Sequence, residues 1–252
     1  MDRKRATLTG LAAILLWSTM VGLIRSVSEG LGPVGGAAMI YTVSGLLCLV
    51  TVGFPDLRRF SRRYLLAGSI LFVSYEMCLA LSLGYAATRS QAIEVGMVNY
   101  LWPSLTIAFA ILFNGQKTTL WVIPGLLISL LGVCWVLGGE NGLQLNDIMQ
   151  NVVSSPLSYG LAFAGAFIWA AYCTVTSKYA KGQNGITLFV LLTALSLWVK
   201  YAVSDQPEMV FSVPVVVKLL MCGVALGFGY AAWNIGILHG NVTVLAAVSY
   251  FT

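Results

Sequence analysis

Apolar residues run almost unbroken along this chain, in stretches of about 20 that are long enough to cross a bilayer and are separated by a few polar positions. The pattern predicts helical spans near 8–26, 34–53, 64–84, 92–113, 119–138, 157–177, 185–203 and 214–237, with a ninth beginning near 241. That ninth run is still apolar at Thr252, where backbone carbonyls would lack partners in hydrocarbon, so the helical pattern is expected to continue. The fold class read from this pattern is an all-α polytopic membrane protein.

Composition agrees. Of the 252 residues, 58% are hydrophobic and 9% charged, against roughly 25% charged in soluble domains. Arg3-Lys4-Arg5 ahead of an apolar run has the look of a signal peptide, but the run can span by itself and more spans follow, so it reads as a retained first helix. The net charge of +5 is laid out as an orientation signal, not as a nucleic-acid patch. With the N-terminus in the cytoplasm, Arg3, Lys4, Arg5, Arg58, Arg59, Arg62, Arg63, Lys117, Lys178 and Lys181 fall inside. Arg25, Arg89, Lys200 and Lys218 then fall at or near the outside, with Glu29, Glu140, Asp147, Asp205 and Glu208.

The chain also resembles itself at an offset of 150. Gly10-Leu11-Ala12 returns as Gly160-Leu161-Ala162, Val98-Asn99-Tyr100 as Val248-Ser249-Tyr250, and Trp17 and Trp169 match two positions out of register. A first unit of five spans would force the second to enter the membrane from the opposite face, which is the inverted repeat of alternating-access transporters. The expected architecture is therefore ten helices in a five-plus-five repeat, about eight and a half of them within this sequence. Its units are 1–138, an extracytoplasmic linker at 139–156 that is polar and free of Lys and Arg, and 157–252.

Residues that are costly in lipid mark the candidate chemistry. Glu76 lies near the middle of the third span, where a charge costs about 2.5–3.5 kcal/mol. It reads either as a group that titrates or binds a cation, or as a hydrogen-bonded carboxyl that joins helices. Glu94 lies nearer the outer end of the next span and reads as an interfacial partner for Arg89, while Arg25 and Lys218 can snorkel to an interface. Gln91, Val95, Asn99, Trp102 and Thr106 recur at helical spacing and put a polar, aromatic stripe on one face. Pro103 has no amide to offer the carbonyl of Asn99 and predicts a kink there. In a wet cavity that carbonyl can accept from a substrate ammonium, and the flat faces of Tyr100 and Trp102 suit an aromatic side chain or an organic cation. Trp17, Trp169 and Tyr172 also sit inside spans, the last two on one helix face, and are candidates for the same wall. The glycine pair Gly223 and Gly227 fits close helix packing.

Five cysteines, at 48, 78, 134, 173 and 222, stand alone in apolar spans without metal-ligand spacing. His239 is the only histidine and reads as a solvated loop residue. No phosphate-binding loop or nucleophile elbow occurs, so neither ATP hydrolysis nor covalent catalysis is indicated, and no cofactor or metal is expected.

The short loops and the apparent five-plus-five repeat resemble the drug/metabolite transporter superfamily, specifically its EamA-type ten-helix exporters. The stretch Gln91-Ala92-Ile93-Glu94-Val95-Gly96-Met97-Val98-Asn99-Tyr100-Leu101-Trp102-Pro103 is similar to the corresponding helix of the aromatic amino acid exporters among them. The resemblance implies a bacterial inner-membrane transporter that exports tryptophan, phenylalanine or tyrosine, and related metabolites, from a central cavity between repeats. It places Asn99, Tyr100 and Trp102 in the cavity wall, with Ser249 and Tyr250 opposite by the repeat, and a monomer as the working unit. Small multidrug exporters of the superfamily carry an essential carboxylate in the first helix, which this chain lacks. The competing expectations are a proton-coupled exporter of organic cations that uses Glu76, and a membrane scaffold or enzyme without transport.

Overall fold

A computed structural model describes residues 2–115, 122–137 and 145–251. Lys117, Glu140, Thr252, the two ends of the fifth predicted span and positions 139–144 of the linker lie outside the described residues, as does the side chain of Asp147.

The described residues are helical, without a strand. In chain order the helices are α1 (Arg3–Trp17), α2 (Met20–Leu31), α3 (Pro33–Thr51), α4 (Arg62–Gly84), α5 (Arg89–Asn99), α6 (Trp102–Asn114), α7 (Val122–Leu137), α8 (Leu145–Ser154), α9 (Pro156–Tyr179), α10 (Ile186–Val203), α11 (Val213–His239) and α12 (Val242–Val248). Six helical segments are long and apolar enough to cross a membrane by themselves, the α5–α6 pair counting as one, and the bent pair α1–α2 makes a seventh. The chain is thus a multi-pass membrane protein.

Local sequence explains most boundaries. Ser61, Thr88 and Asn241 cap α4, α5 and α12 by accepting the amides of Tyr64, Gln91 and Val244. Proline occupies the first turn of α3, α6, α9 and α11, where a missing amide costs nothing. Three departures from the sequence reading stand out. The first span is two helices bent by 44°, the fourth is broken at Tyr100–Leu101, and the linker read as a polar loop carries the amphipathic helix α8.

Packing is pairwise. α1 lies along α11, α9 along α4, and α3 against α10 and α11. Gly223 and Gly227 supply close approach on α3: a Cβ at Gly223 would sit 2.5 Å from Val43 Cγ1, and one at Gly227 3.2 Å from the Ser44 carbonyl. The room admits Ser44, whose hydroxyl donates to the Gly223 carbonyl at 2.9 Å. The centre of the bundle is a nest of rings in which Trp169 contacts Trp17, Phe72, Tyr75, Tyr172 and Trp233.

Candidate functional site

The break in the fourth span sets the site. Tyr100 closes α5 by donating to the carbonyls of Gly96 and Met97 at 3.2 and 3.1 Å, and Leu101 donates to Val98 at 3.1 Å. α6 then restarts with Pro103 in its first turn. The two half-helices present Asn99, Tyr100 and Trp102 to a narrow cavity of about 70 Å³. Trp17, Trp169 and Ser249 line the same cavity, so residues from both halves of the chain meet there. Asn99 and Ser249, which correspond under the 150-residue offset, share it as well.

Tyr172 and Tyr250 are placed elsewhere. Tyr172 stacks behind Trp169, with ring centroids 5.1 Å apart, and donates to Asn234 Oδ1 at 2.9 Å. Tyr250 pairs with Ser104, its hydroxyl accepting the Ser104 amide at 3.1 Å, so it satisfies a first-turn donor of α6. The polar stripe is also divided. Thr106 spends its hydroxyl on the Trp102 carbonyl at 2.8 Å, and Gln91 accepts the Ala87 amide at 2.7 Å and donates to Ser154 at 3.0 Å, away from the cavity.

Glu76 is fully buried one layer behind the wall. The Tyr41 hydroxyl donates to its Oε2. Tyr230, which lines the cavity, flanks the carboxyl, yet Oε1 makes no hydrogen bond of acceptable geometry. Further buried polar atoms around the ring nest have no hydrogen-bond partner in the protein: Asn99 Oδ1 and the indole Nε1 of Trp17 and Trp169. Buried polar groups are paired in the great majority of cases, so such a concentration calls for an explanation.

One expectation for charged residues is corrected. Arg89 does not pair with Glu94; its guanidinium holds Glu29 of α2 in a two-pronged contact at 3.2 and 2.8 Å. Five positions on a helix are about 140° apart around its axis, and Glu94 instead accepts the hydroxyl of Tyr159 on α9 at 2.6 Å. Arg25 donates to the Gly84 carbonyl at 3.2 Å and Lys218 to Ser26 Oγ at 2.6 Å, so each also ties two helices together.

The reading of the sequence missed Tyr75 and Tyr230, which line the cavity, and Trp233, which packs at 5.3 Å on both Trp17 and Trp102. The signal for Trp233 was available, since Asn234 beside it is a polar residue inside an apolar span, the same cost that singled out Asn99. Tyr75 and Tyr230 become legible only once α4 and α11 face each other. Among the described residues no group of three His, Cys, Asp or Glu is close enough to hold a metal.

Residues 4–138 match the EamA-like transporter family. An aromatic amino acid exporter YddG of Salmonella typhimurium (strain 14028s) is 73% identical over all of this chain and 86% of its own length. One of the same name from Escherichia coli (strain K12) is 71% identical over the same shares. A solved protein structure superposes with a TM-score of 0.74 at 22% identity, covering 99% of this chain and 85% of its own, and so shares the fold.

Proposed function

The chain belongs to the EamA-like transporter family, and on that footing we propose that it exports aromatic amino acids through the cavity between α1–α2, α4, α5–α6, α9 and α11. The observation that carries the reading is the wall itself, where aromatic faces stand beside buried polar atoms without partners. A zwitterion with an aromatic side chain offers both complements. Its ammonium can donate to a free carbonyl, its carboxylate can accept from an indole N–H, and its ring can pack among rings. The present cavity, about 70 Å³, has room for a few waters at roughly 10–15 Å³ each. Binding tryptophan therefore requires the rings to part, as a carrier that alternates between conformations would allow.

In this reading the fold is the inverted five-plus-five repeat. Exchanging α1 with α9 and α4 with α11 turns the α1–α11 contact into the α9–α4 contact and leaves α3 on α10, which is the pattern of packing observed. The units at 1–138 and 157–252, joined by the linker at 139–156, follow from it. Arg58, Arg62 and Lys178 share the end of the bundle with the N-terminus, which supports a cytoplasmic N-terminus in a bacterial inner membrane. One copy encloses the cavity, so a monomer is sufficient.

The test is uptake of labelled tryptophan by liposomes holding the protein, with no ion gradient imposed, against an Asn99→Ala, Trp102→Ala double variant. Saturable flux that the variant loses supports the proposal. Flux that appears only under a pH gradient, and vanishes in Glu76→Gln, would move the function to proton-coupled export through the buried carboxyl.

A further inference from the structure

We infer that α2 is a hinged gate over one end of the cavity, and that the Glu29–Arg89 ion pair, with Arg25 on the Gly84 carbonyl, is the latch that holds it closed. The inference rests on the cavity being the transport path.

The hinge is built into the chain at Ser18–Thr19, where α1 and α2 part at 44°. A break in a membrane helix leaves carbonyls that must be satisfied from within. Here Ser18 Oγ donates to the Leu15 carbonyl at 2.8 Å and Thr19 Oγ1 to that of Leu16 at 3.3 Å, so local hydroxyls close the end of α1 without the helix continuing. A change of angle at this point breaks few ladder bonds that the bend has not already given up.

The moving part is 12 residues long. Met20, Val21 and Ile24 on its inner face form part of the cavity wall, and Trp17, the last residue before the hinge, is another part. A substrate that displaces the Trp17 ring therefore acts directly on the pivot.

The latch sits at the opposite end of α2, beside Gly32, the single residue before α3, whose φ of 74° only glycine adopts freely and which supplies the second pivot that a movement of α2 needs. The Val210 amide on the Gly30 carbonyl at 3.0 Å and Lys218 on Ser26 Oγ at 2.6 Å steady the same helix. Glu29 is held by Arg89 of α5 at 2.8 Å, and Arg25, also 3.5 Å from Glu29, reaches the carbonyl that ends α4. α5 is itself tied to α9, where Glu94 accepts the Tyr159 hydroxyl. Exposed ion pairs are weak, which suits a latch: such a pair biases an equilibrium by a few fold and leaves it reversible. Among the described residues the other end of the bundle has no ion pair between helices. A polar chamber of about 670 Å³, lined by Thr106, Asn114, Thr174, His239 and Asn241, opens there, so the two ends differ as alternating access demands.

The direct test needs no substrate. In lipid nanodiscs, where both faces are accessible, a Leu83→Cys probe in the cavity wall is reacted with a bulky water-soluble maleimide and compared with the parent chain as background. Adding Glu29→Gln or Arg25→Gln is expected to raise the labelling rate about three- to fivefold, with a larger rise when both are present. Unchanged rates in all three would overturn the gate. A Glu29→Cys, Arg89→Cys variant bridged by a reducible bifunctional thiosulfonate supplies the second arm. In liposomes its tryptophan flux should stop and return on reduction, a recovery that a misfolded protein would not show; flux that persists through the bridge also overturns the proposal. If the parent carries no tryptophan, labelling alone decides the gate, and only the substrate assignment fails.

Discussion

Trp17, in the cavity wall, packs closely on a glycine of α11. A Cβ added to Gly229 would lie 2.3 Å from Trp17 Nε1 and 2.8 Å from Cδ1, and the ring has little room to retreat because Tyr230 and Trp233 stand 4.9 and 5.3 Å from it. Gly229→Ala is therefore expected to cost about 1–3 kcal/mol by overpacking, seen as a lower melting temperature in detergent, together with loss of tryptophan flux. A second change, Trp17→Phe, should recover part of the stability; no recovery would mean that the clash lies elsewhere. Glu76 offers a complementary comparison. Tyr41→Phe leaves both carboxyl oxygens without a good donor, an omission worth about 1–3 kcal/mol or more, whereas Glu76→Gln keeps an acceptor for Tyr41. The Tyr41 variant should melt lower than the Glu76 variant, and the reverse order would show that the carboxyl's worth is not in this hydrogen bond.

At the scale of the element, Pro103 decides the form of the fourth span. Pro103→Ala restores an amide that can bond the Asn99 carbonyl and permits one continuous helix over Arg89–Asn114. The expected result is thermal stability equal to or above that of the parent, with reduced tryptophan flux, since straightening would turn Asn99 and Trp102 relative to each other. Full flux in a stable variant would separate the break from the function. The helix α8 belongs to this scale as well. Its amphipathic pattern is present in the residues at 145–154, within a stretch whose polar residues read as a linker loop between halves.

For the whole molecule, the issue is which end faces which compartment. Single cysteines at Arg58 and Lys178, both exposed and both at the N-terminal end of the bundle, should react with an impermeant thiol reagent from the cytoplasmic side only. Cysteines in place of Asp205 and Glu208, exposed at the other end, should react from outside. Labelling of all four from one face would refute the sorting of charge that supports the orientation.

The spans, the membrane class and the interest of the stretch around Asn99 and Pro103 were legible because they depend on local quantities: the length of an apolar run, the cost of a polar group in lipid, and a missing amide. The sequence by itself also determined that both halves carry matching residues. What only the tertiary structure decided is which neighbours share the cavity. Trp169 faces it while Tyr172, one turn later, does not; Ser249 faces it while the adjacent Tyr250 binds Ser104, 146 positions away. Likewise Arg89 found Glu29 across 60 residues and not Glu94 on its own helix. The helix crossings, set by glycines and rings from distant parts of the chain, fix where each side chain ends up, and that geometry is not written in any single span.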